Sequence, residues 1–376
     1  MNNVLMGIAK AGIKESGKED LLVIKLPFAC EARFVFTTNH FAAAPVLYSK
    51  NMLEASGNRV SAMVINSGNA NCGTGIEGYE HAKMMGEKVA ELFDIPKEEV
   101  LVFSTGIIGK PLPIINILEG IEYAVSNLEV LDLEMAAKVI STTDRFPKYA
   151  FCKKDNYEAF CFGKGAGMIH PNMATMLAFC FTNSKLMPRK HFDDILEKTF
   201  NSIDVDGCQS TNDSFGVISY GDLDYSDDVY NCVYKVCKEV SDMIVKDGEG
   251  ATKIITIEVK HASIKTKAKV IANAIATSNL VKTAMFGADP NWGRILAAAG
   301  STIFPIDPLK VSLHIMGVKV YDRAPIHFNK EKLSQKMRES QDIEIVLDLK
   351  EGKEHFSYRF SDLGYEYIRI NAEYTT

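Results

Sequence analysis

The sequence has a single tryptophan, Trp292, no C-x-x-C pair among eight cysteines, no H-E-x-x-H among eight histidines, and no basic tract. Each absence excludes something. Cys30, Cys72, Cys152, Cys161, Cys180, Cys208, Cys232 and Cys237, scattered through a long chain, read as reduced and mostly buried thiols rather than a disulfide framework. Histidines without paired spacing indicate no metal site. A bilayer-spanning helix needs about 20 apolar residues in succession, and no segment supplies them. Lys10, Lys14 and Lys18 interrupt the stretch from Met1 to Leu22, so it lacks the apolar region of a secretory signal, and the expected compartment is the cytoplasm. Lys and Arg total 42 against 48 Asp and Glu, a formal charge of -6, which argues against a nucleic-acid partner. What is there is an ordinary globular composition: 376 residues, 47% hydrophobic and 24% charged, enough for a sizeable core and, by length, about two or three domains.

Apolar runs bounded by turn residues alternate with segments of helical period, which predicts an α/β or α+β protein with helices covering a mixed sheet. The expected strands are Leu21 to Leu26, Ala62 to Asn66, Val100 to Ser104, Thr175 to Thr182 and Lys253 to Val259. The expected helices are Gly78 to Leu92, Ile114 to Ser126, His191 to Asn201, Asp227 to Lys246 and one from Ser334 onward, each with apolar residues three or four apart. Pro305 and Pro308 break the chain after an alanine-rich helix end, so a smaller carboxy-terminal unit is expected from about residue 285 to 376.

Gly73-Thr-Gly75-Ile-Glu-Gly78 satisfies G-x-G-x-x-G, but a dinucleotide fingerprint needs its glycines directly at a strand end, and seven residues separate Asn66 from Gly73. The tract Asn66-Ser67-Gly68-Asn69-Ala70-Asn71 reads either as a solvated turn or as a dense supply of hydrogen-bonding groups after a strand. Ser104-Thr105-Gly106 follows a second strand; a hydroxyl followed by a glycine amide is one way to build an oxyanion hole, and a tight turn before Pro111 is the alternative.

The stretch from Gly163 to Thr175 sets three glycines around Lys164, then a proline turn, then an apolar run. It lacks the order of a P-loop, and a flexible turn with Lys164 solvated is the plain reading. A peptide bond held in such a turn before a threonine can also be attacked by that hydroxyl. The freed α-amino group, with a reference pKa of about 7.7 to 8.0, would then sit beside its own hydroxyl as a general base. Three further segments stand out. Lys246 to Lys253 reads as a helix stop near Gly248, Asp289-Pro-Asn-Trp292-Gly-Arg294 as a helix start, and Asn371 to Thr376 closes the chain.

Taken in order, these motifs resemble the ornithine acetyltransferase family of arginine biosynthesis, whose bifunctional members are also glutamate N-acetyltransferases. The resemblance runs through Val35 to Asn39, Ala44-Pro-Val46, Asn66 to Asn71, Ser104-Thr-Gly106, Thr142-Thr-Asp144, Lys164 to Met168, His170 to Thr175, Asp247-Gly-Glu-Gly250, Asp289 to Arg294 and Asn371-Ala-Glu-Tyr. It implies a layered sandwich of sheets and helices shared with some self-processing aminopeptidases. It further implies cleavage between Ala174 and Thr175, giving an α chain of 1–174 and a β chain of 175–376 that share one main core and assemble as two of each.

The resemblance also implies that Thr175 is the nucleophile, that the Thr105 hydroxyl and Gly106 amide form the oxyanion hole, and that Thr142, Lys164, Thr175, Glu249, Asn371 and Thr376 bind substrate. Thr175 would take the acetyl group of N2-acetylornithine and pass it to glutamate in a ping-pong cycle, with no bound cofactor or metal and with acetyl-CoA as a second acetyl donor if the enzyme is bifunctional. Charge suits Lys164 to a substrate carboxylate and Glu249 to an amino group of ornithine. One departure is Asp206-Gly-Cys208-Gln209-Ser-Thr-Asn-Asp213, where many relatives carry a further carboxylate; Cys208 is read as a small filler. An amidase or aminopeptidase on the same fold, with water as the acceptor, is the competing enzyme class, and a dinucleotide-binding module is the competing non-enzyme.

Overall fold

The computed structural model describes residues 3–170 and 176–373, which build two mixed sheets and eleven helices. The first sheet contains β1 (Leu5–Ala9), β2 (Leu21–Phe36), β3 (Arg59–Asn69), β4 (Val100–Ile107), β5 (Glu129–Val130), β6 (Lys148–Lys154), β7 (Tyr157–Lys164) and β8 (Leu177–Ser184); β9 (Ile203–Asp204) joins the second sheet, and β10 (Ser214–Leu223) returns to the first. The order is β4-β3-β2-β10-β8-β7-β6, with β1 on β2 and β5 on β1.

The 16-residue β2 makes this sheet fold over on itself. Its first part pairs with β3, the register slips between Lys25 and Cys30, and from Glu31 it pairs with β10. Pro27 lies in the slip; lacking an N–H, it cannot donate to either ladder. The two halves then face each other across an aromatic layer, in which Phe103 of β4 meets Phe179 of β8 edge-on with centroids 4.8 Å apart and Phe160 stacks on Phe181 at 4.9 Å. Alternation along the strands decides which side chains enter it. Phe160 and Phe162 point into this core, while Ala159 and Cys161 point to the opposite face, as Ala178 and Cys180 do in β8.

Helices α1 (Ala44–Ala55), α2 (Gly75–Phe93), α3 (Ile114–Ser126) and α4 (Leu133–Ile140) pack on the first half of this sheet, with α4 also reaching β6 and β7. Helices α5 (Arg189–Lys198) and α6 (Asp227–Lys246) belong to the second half. Small Ala and Cys side chains on that outer face let α6 approach closely, and α6 meets them with Val229, Val233, Val236, Cys237, Val240 and Ile244 at helical spacing. Six of the eight free cysteines are buried; Cys152 is half-buried and Cys208 is exposed.

The second sheet contains β11 (Ile254–Ala262), β12 (Ser312–Ile315), β13 (Val318–Asp322), β14 (Asp342–Asp348) and β15 (Glu354–Ser361), in the order β13-β12-β14-β11-β15-β9. It is covered by α7 (Lys265–Ala276), α8 (Asn279–Phe286), α9 (Trp292–Gly300) and α10 (Lys330–Glu339), and α11 (Tyr365–Glu373) leaves it toward the first sheet's site. Its core draws on Ile255 onward, so the unit takes in chain well before residue 285. The expected α/β class is the observed one. Among the described residues no helix is long and apolar enough to cross a membrane.

Candidate active site

Parallel β3 and β4 end side by side, which brings the two polar tracts into register, Ser67 opposite Thr105 and Gly68 opposite Gly106. The tract from Asn66 to Asn71 is not a solvated turn: Asn66, Ser67, Asn69 and Asn71 are buried. Their polar groups are spent inside the protein. Ser104 Oγ donates to Asn66 Oδ1 at 2.5 Å, Asn66 Nδ2 to the Asn69 carbonyl at 2.9 Å, Ser67 Oγ to the Val139 carbonyl at 2.5 Å and Asn71 Nδ2 to the Gly78 carbonyl at 2.8 Å. Asn212, from the loop before β10, donates to the carbonyls of Ala70 at 2.7 Å and Ser104 at 2.9 Å, tying the two halves of the folded sheet together. Buried amides are tolerated because each finds a partner.

Gly106 has φ +133°, and a Cβ there would stand 2.2 Å from the Gly68 carbonyl carbon and 2.4 Å from the Asn69 nitrogen. Only glycine lets β4 end in this conformation against β3. Gly106→Ala is expected to cost about 1–3 kcal/mol from backbone strain and overpacking. A chemical-denaturation midpoint equal to that of the parent would contradict this.

Lys164 closes β7 opposite Leu177 of β8, and its ammonium donates to Thr105 Oγ1 at 3.2 Å. Lys164 is therefore half-buried and bonded rather than simply solvated. An ammonium can only donate, so this contact occupies a lone pair of Thr105 and leaves its hydroxyl proton for another acceptor. Asp144 lies beside it. Asp144 Oδ1 accepts from Lys148 Nζ at 2.5 Å and from the Gly165 amide at 2.8 Å, and Oδ2 accepts from the Thr142 amide at 3.0 Å. Burial favours the neutral acid at Asp144, but the ammoniums of Lys164 and Lys148 and the Gly165 amide outweigh it and hold the carboxyl at about 2. Burial lowers the pKa of Lys164, against which Asp144 acts most strongly. Lys14 is brought to about 8, by burial first and with Lys164 adding its repulsion, although Asp20 opposes the shift.

Glu249 follows α6; its amide donates to the Ala166 carbonyl at 2.8 Å, and Asn371 Nδ2 of α11 donates to Glu249 Oε2 at 3.0 Å. Gly167 allows the approach, since a Cβ there would stand 2.6 Å from the Glu249 carboxyl carbon. Thr105, Gly106, Thr142, Lys164, Glu249 and Asn371 all line one cavity of about 990 Å³, together with Met176 and Leu177. Ala174, Thr175 and Thr376 lie outside the described residues. Lys14, Asp144, Asn212 and Asp213 also line the cavity. Asp144 and the last two sit inside quoted motifs, whereas Lys14 carries no sequence signal.

Other candidates fall elsewhere. Gly73, Gly75 and Gly78 are away from the cavity wall, with Gly75 opening α2. Trp292 packs on Tyr321 with centroids 5.4 Å apart, and Asn291 caps α9 by accepting from the Arg294 amide at 3.2 Å. Cys208 is exposed rather than a filler, its thiol near the Asp206 carbonyl at 3.6 Å. Asp206 instead spends its carboxylate on the amides of Met168 at 2.7 Å and Ile169 at 3.0 Å, and burial raises its pKa.

A hydroxyl donor, a glycine amide, an ammonium and a carboxylate around one cavity suit an enzyme of acyl transfer, where negative charge develops on a carbonyl oxygen. The sequence model of the ArgJ family matches residues 5–376, and the chain belongs to that family. It is 56% identical over 381 residues to the arginine biosynthesis bifunctional protein ArgJ of Aquifex aeolicus, covering 100% of both chains. It is 37% identical over 389 residues to the glutamate N-acetyltransferase of Methanopyrus kandleri, covering 98% of this chain and 99% of the relative. A crystal structure of the arginine biosynthesis bifunctional protein ArgJ of Bacillus halodurans superposes with a TM-score of 0.50 at 32% identity, over 52% of this chain and 98% of that one.

Proposed function

We propose that this acyltransferase of arginine biosynthesis moves the acetyl group of N2-acetylornithine to glutamate through an acetyl-enzyme on Thr175, after cleaving itself between Ala174 and Thr175. The observation that carries the reading is the convergence on one cavity of Thr105, Gly106, Thr142, Lys164, Glu249 and Asn371 with Met176, the residue next to Thr175. The names of the curated relatives, bifunctional ArgJ and glutamate N-acetyltransferase, support it. The Bacillus halodurans chain, matched along 98% of its length by 52% of this one, is about half as long as this chain, a length that cleavage near the middle would give.

The chemistry follows from the residues. The α-amino group of a freed Thr175 takes the proton of its own hydroxyl, which attacks the acetyl carbonyl. The Thr105 hydroxyl, polarised by the Lys164 ammonium on its oxygen, and the Gly106 amide receive the developing oxyanion. Collapse expels ornithine, whose amine takes the proton; glutamate then enters and its amine attacks the acetyl-threonine, regenerating the hydroxyl. Lys164 has two further N–H groups for a substrate carboxylate, and Glu249, with Asn371 on Oε2, offers Oε1 to the ornithine ammonium. Acetyl-CoA as a second donor, an assembly of two α and two β chains, and a cytoplasmic location belong to the same proposal.

Assaying ornithine release from N-acetylornithine with and without glutamate tests it: release that needs glutamate supports a transferase, and release at the same rate without it indicates an amidase. Glu249→Gln keeps size and hydrogen bonding while removing charge. A lost charge-assisted bond of about 1.5–3 kcal/mol corresponds to a roughly tenfold to hundredfold fall in kcat/KM for N-acetylornithine, with self-cleavage retained. An equal fall for acetylated donors with uncharged side chains would remove Glu249 from ornithine recognition.

A further inference from the structure

We infer that Asp144, Lys148 and Asp247 form a buried positioning clamp that sets the mutual spacing of the three chain segments carrying Thr142, Lys164 and Glu249. The inference rests on the substrate-binding roles proposed above and adds the residues that hold those groups in place. Lys148 opens β6 and its side chain, like those of Asp144 and Asp247, is wholly shielded from solvent. Its ammonium bridges the two carboxylates, 2.5 Å from Asp144 Oδ1 and 2.6 Å from Asp247 Oδ2.

Asp144 lines the cavity, whereas Asp247 stands behind it at the end of the segment that carries Glu249. Asp144 takes the Thr142 amide on one oxygen and the Gly165 amide on the other, so a single side chain fixes the backbone at Thr142 against the backbone next to Lys164. Asp247 caps the end of α6, two residues before Glu249, and its remaining valences are filled by the Arg145 amide at 2.9 Å and Arg145 Nε at 2.8 Å. Charges of alternating sign thus run in a line from the exposed Arg145 through the buried Asp247, Lys148 and Asp144, whose charge acts in turn on Lys164. A buried ion network of this kind is a poor source of net stability, because desolvation opposes the attraction, and its use is in fixing geometry.

The network has an electrostatic consequence. Lys164 is faced by Asp144 and Lys148 from the loop before β6 and its first residue, by Lys14 from the amino-terminal segment, by Asp213 before β10 and by Glu249 after α6. Among these, Asp144 is the strongest influence holding the proton on Lys164 against burial. Without its charge, Lys164 deprotonates at lower pH, and a substrate carboxylate loses its partner as pH rises through that point. The Thr175 amine, which must be deprotonated to act as base, sets the acidic limb and is not a member of the clamp.

The test uses the full-length enzyme with Asp144→Asn and, separately, Asp247→Asn, the second leaving the bonds from Asp144 to Thr142 and Gly165 in place. Initial rates against N-acetylornithine are measured across neutral to alkaline pH. Asp247→Asn is expected to raise KM about tenfold with kcat changed far less, since Glu249 is displaced while the reacting groups are not. Asp144→Asn is expected to raise KM and to move the alkaline limb of kcat/KM down by at least about one pH unit. Folded variants with unchanged KM and an unchanged alkaline limb overturn the clamp, as does a fall confined to melting temperature. Wild-type protein run alongside keeps the two readings apart: wild type that transfers no acetyl group overturns the proposed function itself, whereas active wild type beside indifferent variants overturns only the clamp.

Discussion

Thr175→Ala is expected to give one uncleaved chain with no acetyl transfer. The two losses share one cause. The hydroxyl that would attack the Ala174 carbonyl to start the internal acyl shift is the hydroxyl that would later carry the acetyl group, and alanine supplies neither. The variant also keeps its Thr175 nitrogen in an amide, so the general base never appears. Removing the nucleophile of a covalent mechanism costs several decades in rate, which makes this the largest effect expected from any single substitution here. Electrophoresis under denaturing conditions reads the first loss and an ornithine-release assay the second. Cleaved or active Thr175→Ala protein would end the assignment of the nucleophile.

Thr105→Val is the second large effect. Valine is close to threonine in shape and keeps β4 intact, but it removes the donor whose proton the Lys164 contact leaves available. Loss of one oxyanion donor costs about a hundredfold to a thousandfold in turnover. The Gly106 amide persists, so activity should be reduced rather than abolished. Turnover at the parent rate in Thr105→Val would show that the oxyanion is held elsewhere.

Much of this site was legible in the sequence because its residues lie in short tracts at element ends, where small and polar residues replace the apolar pattern. Ser104-Thr105-Gly106 is of this kind, at the end of a strand that opens on the apolar run Val100 to Phe103, and Lys164 stands among glycines at the end of β7, a strand not read from the sequence. The exact use of those tracts was not legible. Asn66 to Asn71 carries the composition of a solvated turn and is buried, since its partners, Val139, Gly78 and Asn212, come from other parts of the chain. Asp144 was visible only as part of a motif: its bond to Gly165 spans 21 residues, and the bond from Lys148 to Asp247 spans 99. Local pattern carries no information about contacts of that separation.

The fold shows the same division. Helices α3 and α6 have the expected bounds because their apolar stripes are regular, whereas α1 was not read, although Pro45 sits in its first turn. The change of partners within β2 was also hidden. Its signal is Pro27 in an otherwise continuous strand, and a proline there predicts a break more readily than a strand that continues with a new neighbour.

The central claim, that Thr175 carries the acetyl group as the first residue of a new chain, is tested most directly by intact mass after mixing the purified enzyme with N-acetylornithine in the absence of glutamate. The expected result is two fragments divided at Ala174 and Thr175, with the mass of one acetyl group added to the carboxy-terminal fragment and lost again when glutamate is supplied. A single uncleaved chain, or cleaved chains that release ornithine in the presence of glutamate without ever gaining an acetyl group, would contradict it.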